Sequence, residues 1–107
     1  MTSRERVDRA FRLEPVDRVP IYQAGFSSKV ASYVLGREAF VGGGIQQYRE
    51  ARALWAGPAA HAEFIERSFR DACELCEKLD LVRTMYWRKD TRPAAHPDPF
   101  TFRYDDP

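Results

Sequence analysis

The chain is poor in the residues from which small proteins build covalent or metallic cross-links. Its 107 residues include only two cysteines and two histidines, too few for a disulfide framework. Long hydrophobic runs are missing as well. The apolar stretches last a few residues, whereas a helix needs about 20 to cross a bilayer. The opening Met1-Thr2-Ser3-Arg4-Glu5-Arg6 runs straight into charge and lacks the apolar segment of a secretory signal. An excess of one charge is also absent. Lys plus Arg number 17 and Asp plus Glu 16, a net charge of +1, which argues against a nucleic-acid-binding module. What is present is ordinary for a globular protein, 44% hydrophobic and 31% charged residues. The expectation is one small cytoplasmic domain with no membrane and no nucleic-acid partner.

Local signals divide the chain into helices and short strands. Thr2 with Glu5 three residues later forms a capping box, which satisfies backbone donors at the start of a helix. Val7, Ala10 and Phe11 give that helix a narrow apolar face, and Pro15 stops it. Its arginines, Arg4, Arg6, Arg9 and Arg12, alternate with acids and read as a solvated face. Val19 to Ala24 is a mostly apolar run that suits a buried strand, with Pro20 near its start. Ser27 or Ser28 is placed to cap a helix carrying Val30, Ala31, Val34 and Leu35, closed by Gly36. Gly42-Gly43-Gly44 reads as a loop.

Gln46 to Trp55 is a further helix, closed by Gly57-Pro58. Ala60 to Leu79 is the clearest helix of all. Phe64, Ile65, Ser68, Phe69, Ala72, Leu75, Cys76 and Leu79 trace its apolar stripe. Leu81 to Trp87 is rich in strand formers, Pro93, Pro97 and Pro99 mark an irregular stretch, and Phe100 to Tyr104 alternates as an exposed strand. Strands separated by helices suggest parallel βα units. Two such strands cannot cover each other's edges and faces, so the expected fold is α/β, the opening portion of a larger domain.

The residues around the first strand add a resemblance. Thr2-Ser3-Arg4-Glu5-Arg6-Val7, Arg9-Ala10 and Glu14-Pro15-Val16-Asp17-Arg18-Val19-Pro20-Ile21 resemble the N-terminus of the uroporphyrinogen decarboxylase family. The long helix ending in Leu79-Asp80 and followed by a strand fits the same order. The resemblance implies an N-terminal fragment of a (β/α)8 TIM barrel, its first two or three βα units over residues 1–107, with substrate at the C-terminal ends of the strands. It implies decarboxylation of a tetrapyrrole without a cofactor or, in a related branch, methyl transfer that uses cobalamin and zinc. It also implies that the isolated chain is inactive.

After its first strand the family carries R-Q-A-G-R; here the stretch is Tyr22-Gln23-Ala24-Gly25-Phe26. Gln23 and Gly25 are thereby implied to line the substrate site. The missing arginines remove charge-assisted donors for carboxylates and favour a divergent relative. The family's catalytic aspartate position falls on Trp87, with Asp90 three residues on. Tyr86, Trp87 and Arg88, ending the second strand, complete the expected substrate-binding set.

The remaining signals have plainer explanations. Cys73-Glu74-Leu75-Cys76 has C-x-x-C spacing but lies inside a helix, without a second pair, so no metal site is expected. The glycine triplet lacks the Lys-Ser/Thr of a phosphate loop. His61 and His96 are isolated, and Trp55 reads as core. A rival reading is a small non-catalytic α/β interaction module, which would dimerise or associate through its exposed strand edges.

Overall fold

The capping signals at the chain start are realised atom by atom. In the computed structural model, which describes residues 1–23, 25–82 and 90–105, α1 spans Ser3–Phe11. The Glu5 amide donates to Thr2 Oγ1 at 3.2 Å, and the Thr2 amide donates to Glu5 Oε2 at 2.6 Å. The helix ends before Pro15. Leu13 takes a left-handed φ of 58°, while the Leu13 and Glu14 amides donate back to the Ala10 and Arg9 carbonyls. This is the closing pattern that glycine usually serves; a leucine there carries steric strain.

Ser27, not Ser28, caps α2 (Ser28–Leu35), accepting from the Val30 amide. Gly36 ends α2 in the left-handed conformation at φ 70°. The glycine triplet then does more than loop. Gly42 has φ 135°, and a Cβ there would sit 3.1 Å from the Ser28 backbone nitrogen, so the chain needs glycine at this crossing. Gly44 already opens α3 (Gly44–Ala56). The longest helix, α4, covers Pro58–Leu79 with Pro58 in its first turn, where a missing amide hydrogen costs nothing. A hairpin closes the described chain: β1 (Ala95–Asp98) pairs antiparallel with β2 (Thr101–Arg103).

Helix α4 packs against both α2 and α3. Ala31, Leu35, Ala39 and Leu75 form the apolar centre, with Phe26, Val34 and Val41 against it. Polar groups complete this interior. Asp71 is fully buried and accepts from Arg37 Nη2 at 2.7 Å and from the Phe40 amide at 2.8 Å. The buried Gln46 amide donates to the Phe40 carbonyl and to Ser68 Oγ. Glu50, also buried, meets His61 Nε2 at 3.2 Å. Asp71 therefore occupies the inner face of α4, while Phe69 of the expected stripe stands 58% exposed. The helix face is rotated relative to the hydrophobic pattern because a buried carboxylate with two donors is well satisfied.

The expected barrel fragment of βα units is not what the chain forms. Among the described residues the fold is four helices and one two-stranded antiparallel sheet. Of the parallel pairing expected between Val19–Ala24 and Leu81–Trp87, the described residues show one bridge, Tyr22 with Val82. Val19, Ile21 and Tyr22 lie exposed instead of buried. Strand propensity alone does not hold a strand without neighbours on both edges. Residues 83–89 of the second expected strand lie outside the described residues. In the hairpin, β1 includes Pro97 from the stretch expected to be irregular; an edge position tolerates the absent donor.

The molecule is extended, measuring 55 × 33 × 21 Å with a radius of gyration of 16.9 Å; a compact domain of this length would give about 13 Å. Its 7722 Å² of accessible surface exceeds the roughly 6,100 Å² of a typical monomer of its mass.

Two substitutions test these local arguments by urea unfolding. Leu13→Gly should stabilise the chain by up to about 1 kcal/mol, because it removes left-handed strain at an exposed position. Asp71→Ala should destabilise it by roughly 1–3 kcal/mol, because it leaves the Phe40 amide without its acceptor, while the exposed Arg37 keeps Glu74.

Candidate functional site

The residues that carry the family resemblance converge on one point. Arg6, expected on a solvated face, is 5% exposed. Its guanidinium grips Asp17 in two-pronged fashion: Nε donates to Oδ1 at 2.7 Å and Nη2 to Oδ2 at 2.9 Å. Nη1 donates to both oxygens of Asp80, at 3.0 and 2.9 Å. Arg18 Nη2 reaches Asp80 Oδ2 and the Asp80 carbonyl, each at 2.6 Å, and Ser3 Oγ adds a bond to Asp80 Oδ1. The burial of Arg6 corrects the solvated-face expectation. Its planar fork satisfies two carboxylates at once, an arrangement that lysine cannot reproduce.

This clasp positions the segment beyond it. Asp80 ends α4 with a left-handed φ of 51°, and the chain turns directly into Leu81 and Val82. The Val82 amide donates to the Ile21 carbonyl at 2.8 Å, beside the Tyr22 bridge. Gln23 and Gly25, the two expected substrate-binding residues that the structure describes, follow that bridge and are exposed. Gln23 Nε2 donates to the Gly25 carbonyl at 3.1 Å, and the space around Gly25 is open. Tyr86, Trp87 and Arg88 lie outside the described residues, as does Ala24. The structure thus brings Gln23 and Gly25 together at an open surface.

The two departures from the family pattern have structural roles. Tyr22 makes the bridge to Val82, and Phe26 packs on the Ala31–Leu35 core. Neither side chain is a cationic donor for a carboxylate. Asp90 is exposed, with Thr91 Oγ1 as its neighbour at 3.4 Å.

The other sequence candidates fall elsewhere. Cys76 is buried on α4 and Cys73 half-buried, and neither forms a disulfide. Among the described residues no three His, Cys, Asp or Glu side chains are grouped to hold a metal. His61 serves the buried Glu50. His96 stacks on Phe102 at 4.1 Å between centroids, and its Nδ1 lies 2.9 Å from the Thr101 carbonyl. Trp55 meets the His96 ring edge-on, and Arg92 lies over its face. Among the described residues no helix is long and apolar enough to cross a membrane.

The clasp has no local signal, because its members are separated by 11 and 74 residues. Arg6 reads as one of several arginines on a solvated face, and Asp17 only as part of a resemblance. Compared with protein families, curated proteins and solved structures, the chain matches none.

The clasp sets the acid response. The Arg6 guanidinium holds the Asp17 carboxyl well below its ordinary range. Arg18, then Arg6, lower Asp80, and Arg37 lowers Glu74. The unfolded chain binds protons on these carboxyls below their ordinary values of 3.8 and 4.5, while the folded chain resists protonation. The unfolded state therefore holds more protons, and stability falls with falling pH. Urea midpoints should be level above pH 5 and drop between about pH 4.5 and 2, with a shallower drop in Asp80→Asn.

Proposed function

We propose that the chain is a uroporphyrinogen-decarboxylase-like protein that contributes a macrocycle-facing segment and is inactive by itself. The observation that supports this reading is the clasp. The resemblance residues Arg6, which also holds Asp17, and Arg18 meet Asp80 and hold Ile21 against Val82, so that Gln23 and Gly25 emerge together at an open surface. In this reading Gln23, Gly25, Tyr86, Trp87 and Arg88 face the substrate.

Of the two family chemistries, methyl transfer from a corrinoid is favoured over decarboxylation. A uroporphyrinogen carries eight carboxylates, and its recognition draws on arginine. Tyr22 and Phe26 stand where the family has arginines, and neither supplies a positive charge. Cobalamin is held largely through amides, for which the Gln23 side chain is an apt partner.

Tryptophan fluorescence titration of the full chain discriminates these possibilities. Methylcobalamin should bind saturably, uroporphyrin at least ten times more weakly, and Gln23→Ala should weaken the first. Tighter binding of uroporphyrin would reverse the choice of chemistry. Saturable binding of neither macrocycle would defeat the reading, and coproporphyrinogen formation by the chain alone would contradict its inactivity.

A second reading, a non-catalytic interaction module that dimerises, is favoured by the extended shape and by Phe11, Leu13, Val19 and Tyr22, all large and exposed. Light scattering decides it: a discrete dimer that forms with rising concentration supports the module, and a monomer at all concentrations rejects it.

A further inference from the structure

A groove on the far side of the α3–α4 pair has the make-up of a ligand site. Gly57 joins these helices, and each lends the groove one face at i, i+3, i+4 and i+7 spacing. From α3 come Arg49, Arg52, Ala53 and Ala56; from α4 come Ala60, Glu63, Phe64 and Arg67. Phe40 closes one side. The small alanines leave a space of about 400 Å³, within the range of small-molecule pockets.

The charges around this space are unbalanced. Three guanidiniums face it against one carboxylate, Glu63. Two of the arginines are fixed in place. Arg49 and Arg67 lie over the Phe40 ring, with centroid distances of 4.4 and 3.8 Å. Arg49 also donates to Ser28 Oγ, the Ala39 carbonyl and Glu38, and Arg67 to the Glu38 carbonyl. Arg52 is different. It is exposed at the rim, and no side chain or carbonyl among the described residues accepts from it. Its five donors are thus available to a bound anion in the two-pronged geometry that suits a carboxylate.

We propose that this groove binds a small organic monocarboxylate with a compact apolar body. The carboxylate pairs with Arg52 at the rim, with Arg67 supplying a second positive field. The apolar body rests on Ala53, Ala56 and Ala60 beside the Phe64 ring. The site is separate from the Gln23–Gly25 surface and does not depend on the macrocycle reading.

Phenylacetate is a suitable probe, followed by amide-resolved NMR titration of the full chain. Saturable shifts should appear on residues of α3 and α4 around the groove. Binding should weaken at least tenfold in Arg52→Met, which removes the anchor at an exposed position, and in Ala56→Leu, which fills the space. Phenylacetamide, the neutral counterpart, and inorganic phosphate, an anion without an apolar body, should each bind at least ten times more weakly. Absence of saturable shifts with phenylacetate would overturn the proposal. So would equal binding of the amide or of phosphate, or unchanged binding in both variants.

Discussion

A single buried guanidinium sets the course of the first and last parts of the helical body. Arg6 leaves α1 and binds Asp17 and Asp80 together, so the opening helix, the segment after Pro15 and the end of α4 share one anchor. Helix α1 has little apolar surface with which to hold its place; Phe11 stands free in solvent. Its docking rests on charge-assisted hydrogen bonds, which are directional and depend on geometry. The clasp also fixes where the chain leaves α4, and so places Val82 against Ile21.

The same principle recurs in the interior. The apolar centre is small, and Asp71, Gln46 and Glu50 are buried beside it. Asp71 and Gln46 tie the connection between α2 and α3 to the longer helices, and Glu50 joins α3 to His61 of α4. Buried polar groups of this kind cost stability when a partner is removed, and they specify one arrangement of the connecting segment. The balance leaves large side chains near the chain start uncovered, consistent with the surplus of accessible surface.

Features governed by neighbours in sequence were legible from the residues. The Thr2–Glu5 capping box, the Gly36 stop and the span of α4 to Leu79 depend on contacts within a turn. Features governed by distant partners were not. Arg6 looked solvated because its partners lie far along the chain, and nothing local marks the two donors that satisfy the buried Asp71. The Val19–Ala24 run has the composition of a buried strand, yet burial needs strands on either side; one bridge is all that the described chain supplies. Of the candidate site, Gln23 and Gly25 could be located from a motif, but the three-arginine groove arises only when two helices and Phe40 come together.

The clasp joins the fold to the proposed function in this account, since it gathers residues of the proposed resemblance and orients the surface proposed to face the macrocycle. Amide hydrogen exchange of Arg6→Met against the unaltered chain tests it most directly. The account expects exchange at the Val82 amide and through α1 to accelerate strongly, while α3 and the middle of α4 keep their protection. Unchanged protection at Val82 and α1 in the variant would contradict it.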